Sequence, residues 1–94
     1  MPERQVMKKD NIGLLYFHGT NCPVCKTTQP VINRIAKRHT VIIIDVEEHP
    51  KMASNYQIMS IPTLIITRDD EVVHSLVGTR ILKIEEKWNE LMSP

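Results

Sequence analysis

The 94-residue chain has two cysteines, three positions apart in Asn21-Cys22-Pro23-Val24-Cys25-Lys26. Thiols at this spacing can exchange electrons through a disulfide or supply part of a metal site. Zinc held by Cys22, Cys25 and His18 would still want a fourth ligand, and there is no second cysteine pair. Residues 12–17 (IGLLYF) form a short apolar run that ends in the turn-like residues 18–21 (HGTN). The pattern turns helical from Pro23 to His39, so the cysteines fall where a strand hands over to a helix. Pro23 suits the first helical position. Cys22 is then the N-cap, with the N–H groups of Val24 and Cys25 facing its sulfur. Those donors and the helix dipole favour a thiolate, and cysteine pKa values at such sites fall from about 8.5 to roughly 3.5–7.5. Cys25, one turn in, is expected to be more buried and less acidic. This asymmetry suits exchange, with Cys22 attacking and Cys25 resolving. Lys26 adds a nearby positive charge. His18 either tunes Cys22 and relays protons or is a partly exposed loop residue.

The elements that must position this pair alternate in type, as in an α/β domain. Residues 12–17 and 41–46 (VIIIDV) read as buried strands, joined by the helix that Pro30 interrupts. That long crossover makes the two strands parallel. A short helix is expected over residues 49–56, then a third strand at 63–67 (TLIIT) and a fourth at 71–77 (EVVHSLV). Asp69-Asp70 marks the hairpin turn between the last two. A closing helix is expected over residues 80–92, with Ile81, Ile84, Trp88 and Leu91 as its apolar stripe. Residues 3–9 read as a short helix or a frayed leader. The order β-α-β, α, β-β-α predicts a four-stranded mixed sheet flanked by helices, in one domain over residues 1–94 with its core at 12–92.

Composition narrows the function. The net charge of +1 and an aromatic content of 4% argue against a nucleic-acid binder or a base-stacking platform. Residues 1–11 show no apolar stretch of signal-peptide length, and no apolar run is long enough to cross a bilayer. The expected compartment is therefore the cytoplasm, where structural disulfides rarely persist. His39, His49 and His74 have no spacing that suggests a metal cluster, and neither a metal nor a cofactor is expected. Asp45, Glu47 and Glu48 read as solvated residues at a strand end, and Met52 and Met59 as sheet-packing or site-flanking residues.

Residues 16–30 (YFHGTNCPVCKTTQP) resemble the active-site strand and helix of the thioredoxin-like superfamily, with Cys-x-x-Cys-Lys and then a proline at Pro30. Residues 56–63 (YQIMSIPT) are similar to the family segment ending in Ile-Pro-Thr, and Val77-Gly78 to its Val-Gly before the last helix. The resemblance covers roughly residues 12–92. It implies a thioredoxin-like fold and a cis Ile61–Pro62 bond against the active site, with Ile61 and Pro62 in substrate binding. The implied activity is that of a protein disulfide oxidoreductase, chiefly a reductase. Its partners would be disulfide-containing proteins and an upstream reductase or glutathione.

The chain also departs from the family. Pro23-Val24 replaces Gly-Pro between the cysteines and leaves the reduction potential open. Asn21 and His18 stand in place of aromatic residues, so the target surface is expected to be more polar. Tyr16 aligns with the family's buried acid and Ile43 with its lysine partner, which leaves deprotonation of Cys25 to water, His18 or the mixed disulfide. The chain before Ile12 is expected to be too short for the family's full first strand and helix. Residues 41–46 then form a sheet edge, which residues 3–9 cover or a second copy pairs with to make a homodimer. Two other readings stay open: a glutaredoxin-like, glutathione-dependent reductase, and a non-catalytic binding module.

Overall fold

The computed structural model describes residues 12–88 and residue 90. Its elements are β1 (Ile12–His18), α1 (Pro23–Ala36), β2 (Val41–Asp45), α2 (Pro50–Asn55), β3 (Thr63–Arg68), β4 (Glu71–Val77) and a 3₁₀ helix (Gly78–Lys83). The strands form one mixed sheet in the order β2-β1-β3-β4. β1 and β2 run parallel, with Tyr16 opposite Ile43, whereas β3 is antiparallel to both β1 and β4. The expected α/β architecture is present. The short helix expected at residues 3–9 lies outside the described residues, as does Leu91.

Side chains alternate along β1 and β3 as a pleated strand requires. Leu14, Tyr16, Leu64 and Ile66 face α1, where Val31, Ile32 and Ile35 complete a core with Ile81 and Ile84. Leu15, Phe17 and Ile65 point the other way and pack with Ile44 and Ala53 of α2. Both inner strands are thus covered on both faces, which explains their near-continuous apolar sequences. Asp69 and Asp70 close the β3–β4 hairpin with φ of 54° and 69°. Two successive left-handed residues are what a two-residue type I′ turn needs.

The closing element differs from expectation. A continuous helix is predicted over 80–92, but the chain forms the 3₁₀ helix Gly78–Lys83 and then a run of turns, becoming helical at Trp88. Ile81 and Ile84 are both fully buried. Their spacing of three fits 3.0 residues per turn as well as 3.6, so the apolar stripe does not distinguish the two forms. Gly78, at φ 63°, turns the chain out of β4. Arg34 of α1 holds the closing segment through a paired contact with both Glu85 carboxylate oxygens, at 3.1 and 3.0 Å.

β2 is an edge of the sheet among the described residues, as expected, and Ile42 and Ile43 are half exposed there. No helix among the described residues is long and apolar enough to cross a membrane.

Candidate functional site

Register gathers the site at one end of the sheet. β1 leaves the sheet at His18, next to Asp45 at the end of β2. Phe17 pairs with Thr63, so the entry to β3 lies beside the exit from β1. Cys22 and Pro62, far apart in sequence, therefore meet at the same end.

Asn21 sets up the turn into α1. Its φ of 52° lies in the left-handed region, which asparagine tolerates better than most residues. Cys22 follows as the N-cap in extended conformation, with Pro23 at the start of the helix. The Cys25 N–H donates to Cys22 Sγ at 3.2 Å and also reaches the Cys22 carbonyl at 3.1 Å. Of the two donors expected, the Cys25 N–H is the one that caps the sulfur. The cysteines are joined as a disulfide with their Cα atoms 5.2 Å apart. The expected contrast in burial is nearly absent in this oxidised form, at 9% exposure for Cys22 and 7% for Cys25. A closed ring brings both sulfurs under the same cover, so what distinguishes the cysteines here is their backbone setting. Pro23 and Lys26 are exposed and Val24 is half buried.

Behind the Cys25 backbone lie two hydroxyl side chains. Tyr16 is fully buried, and its hydroxyl lies 2.7 Å from Thr28 Oγ1. Burial pushes the Tyr16 phenol above its ordinary pKa, against an opposing effect of the Thr28 hydrogen bond. Thr28 Oγ1 in turn donates to the Cys25 carbonyl at 3.2 Å. His18 is half buried and stacks on Tyr16, with ring centroids 5.8 Å apart and planes 14° from parallel. Ile43 sits opposite Tyr16 on the half-exposed edge. Thr28 is the residue sequence reasoning missed. The signal was a hydroxyl three residues after Cys25, the spacing at which threonine back-bonds to its own helix.

The Ile61–Pro62 peptide is cis, as the resemblance implied. Its loop is tied at both ends. Gly78 N–H donates to the Pro62 carbonyl at 2.8 Å, and Thr63 Oγ1 donates to the Ser60 carbonyl at 2.7 Å. Ile61 reaches across to Gly19, and Met59 beside it is 92% exposed.

The acidic residues after β2 are more than a solvated strand end. Asp45 Oδ1 accepts from the Glu47 N–H at 2.8 Å. The Glu47 carboxylate accepts from the Thr20 hydroxyl at 2.8 and 2.9 Å. Together with Val46 N–H donating to the His18 carbonyl at 2.9 Å, this ties the loop before Cys22 to the one before α2.

A family model described as Thioredoxin matches residues 3–90. A thioredoxin of Staphylococcus epidermidis is 36% identical over 74 residues, covering 74% of this chain and 71% of that protein. A thioredoxin of Mycobacterium tuberculosis is 37% identical over 79 residues, covering 80% and 68%. Among solved structures, the germline-specific thioredoxin Deadhead of a fruit fly aligns with a TM-score of 0.77 at 24% identity, covering 95% of this chain and 89% of its own. Reduced Schistosoma mansoni thioredoxin pre-protein aligns at 0.76 and 25% identity, covering 95% and 87%.

Proposed function

Because the chain belongs to the thioredoxin family of thiol–disulfide oxidoreductases, we propose that it works as a reductase of protein disulfides, with Cys22 attacking and Cys25 resolving. The observation that carries this reading is the Cys25 N–H aimed at Cys22 Sγ from the first turn of α1. The same donor that caps the sulfur in the disulfide stabilises the Cys22 thiolate when the ring opens. That thiolate attacks one sulfur of the substrate disulfide, forming a mixed disulfide and expelling the other sulfur as a thiolate. Cys25, having lost its proton, attacks Cys22 and expels the second substrate sulfur. The substrate gains two electrons and, from solvent, two protons, and the protein is left with its Cys22–Cys25 disulfide. A partner dithiol, in the family role of an upstream reductase, returns the pair to the reduced state.

Ile61 and Pro62 lie on the loop that strand register brings to the same end of the sheet as the cysteines, and we assign them to substrate binding. Pro23, Val24 and Lys26 adjoin the cysteines in sequence and His18 and Tyr16 lie on β1 before them, and all five are proposed to tune the pair. A glutathione-specific site would need cationic groups near Cys22. Lys26 is one exposed cation beside the pair, whereas the cluster of Arg34, Lys37 and Arg38 lines a cleft at the far end of α1, roughly 14 Å or more from Cys25 at 1.5 Å per helical residue. This favours a protein substrate over glutathione. Self-association through the β2 edge is a separate proposal, checked by sedimentation of Ile43→Lys against wild type.

The test is insulin precipitation driven by dithiothreitol. Wild type accelerates it, Cys22→Ser does not, and Cys25→Ser accumulates mixed disulfides. Equal rates for wild type and Cys22→Ser would leave a non-catalytic binding module. Activity that requires glutathione and its reductase would favour the glutaredoxin-like reading. The potential of the couple decides direction: about −270 mV marks a reductase and about −120 mV an oxidant.

A further inference from the structure

We propose that Tyr16 and Thr28 act as a pair of positioning residues that hold Cys25 for closure of the Cys22–Cys25 disulfide. The proposal rests on Cys25 being the resolving thiol.

The direction of the hydrogen bonds follows from counting protons. A hydroxyl has one proton to donate. The Thr28 proton goes to the Cys25 carbonyl, because a carbonyl oxygen can only accept. Tyr16 must therefore be the donor in the 2.7 Å contact with Thr28 Oγ1. The relay runs one way, from the phenol on β1, through the threonine, to the backbone of the resolving cysteine. Burial keeps the phenol protonated, so Tyr16 remains a donor and does not take up the Cys25 proton.

A threonine that back-bonds inside its own helix is common. Here the threonine oxygen is itself gripped by a fully buried side chain of the central sheet. The hydroxyl cannot rotate away without leaving the phenol unpaired. Cys25 is thus fastened on both sides of its Cα. The peptide before it points its N–H at Cys22 Sγ and the Cys22 carbonyl. The peptide after it has its carbonyl held by Thr28. With both flanking peptides fixed, the Cα–Cβ direction is fixed, and the Cys25 sulfur sweeps a short arc that includes Cys22. Holding reacting atoms in an attack geometry removes orientational freedom that the reaction otherwise loses at the barrier. Thr28 and Tyr16 touch neither sulfur in these contacts, so they act through the placement of Cys25.

The test needs no physiological substrate. Reduced protein is treated with a substoichiometric aromatic disulfide, 5,5′-dithiobis(2-nitrobenzoate); Cys22 attacks one sulfur, releasing one coloured thiolate and keeping the other half in a mixed disulfide. Attack by Cys25 on Cys22 then releases the second coloured thiolate, and this second phase gives the resolution rate. The equilibrium of the pair with dithiothreitol is measured in parallel by thiol trapping. In Thr28→Val, resolution slows three- to tenfold and the equilibrium shifts three- to tenfold towards the dithiol. Tyr16→Phe gives at least a twofold change in the same direction and carries the test if Thr28→Val does not fold. Thr28→Ser keeps the hydroxyl and restores both values to within twofold of wild type. Values for Tyr16→Phe and any folded Thr28→Val within twofold of wild type would overturn the proposal. So would a Thr28→Ser protein as impaired as Thr28→Val, which would make the effect one of shape. Failure of the insulin assay alone leaves these measurements standing, since they follow closure of the pair itself.

Discussion

Ile61 lies so close over Gly19 that a Cβ on the glycine would stand 2.9 Å from Ile61 Cδ1 and 3.3 Å from Val46 Cγ2. The loop that leads to Cys22 and the loop that carries the cis proline touch at this point. The side chain missing from Gly19 is the condition for that contact. Gly19→Ala forces the Ile61 tip to move, an overpacking that typically costs about 1–3 kcal/mol. The low end is expected here, because the clashing atom is the end of a flexible side chain. Displacing Ile61 disturbs the proposed substrate face, so KM for a protein disulfide should rise more than kcat falls. Steady-state kinetics beside a denaturant melt check this.

Removing one partner of the Tyr16–Thr28 pair is unequal by side. Thr28→Val leaves the buried Tyr16 hydroxyl without its acceptor, a loss of about 1–3 kcal/mol. Tyr16→Phe leaves Thr28 still donating to Cys25 and should cost nearer 1 kcal/mol. The double variant should be destabilised by less than the sum, because it leaves no orphaned hydroxyl. Urea unfolding of the four proteins gives the cycle, and strict additivity would contradict the geometry.

Alkaline stability reports on Tyr16 directly. Its pKa is raised above 10.0 in the folded chain by burial. Below that ordinary value both folded and unfolded states hold the proton, and the phenol contributes no pH dependence. Above it the unfolded state releases the proton first, so stability falls as pH rises until folded Tyr16 itself ionises. Wild type should lose stability faster than Tyr16→Phe from pH 10 upward. Denaturant midpoints of the two proteins between pH 8 and pH 11 measure the difference.

Asn21 occupies the left-handed region one residue before the Cys22 cap. A β-branched residue there meets the full steric penalty of that conformation. Asn21→Val should therefore cost about 1–2 kcal/mol and tilt Cys22 away from the Cys25 N–H. Asn21→Gly keeps the turn and should stay within about 0.5 kcal/mol of wild type. Insulin reduction should follow the same order, slower in Asn21→Val and near wild type in Asn21→Gly.

Much of the fold is visible along the chain because it depends on local rules. The apolar runs of β1 and β3, the Asp69-Asp70 turn and Pro50 at the start of α2 each carry a short-range signal. The Cys22 cap is equally local, since Pro23 and the strand-to-helix change lie within a few residues of it. The form of the closing segment is not legible in this way, because the Ile81–Ile84 spacing suits a 3₁₀ helix and an α-helix alike. Nor is the like burial of Cys22 and Cys25, which belongs to the closed disulfide rather than to either residue type.

By itself the sequence determined the order of elements, the pairing of Cys22 with Cys25 in one helical turn and the likeness to a thioredoxin, Ile61-Pro62 included. All of these follow from residues that are neighbours in the chain. Only the tertiary structure decided that Tyr16 grips Thr28, that Ile61 rests on Gly19 and that Thr20 reaches Glu47. Each joins segments that strand register brings together at one end of the sheet. Neither partner of such a contact carries a mark of the other in its own stretch of sequence, because a side chain's reach becomes a contact only once the sheet has set the distance.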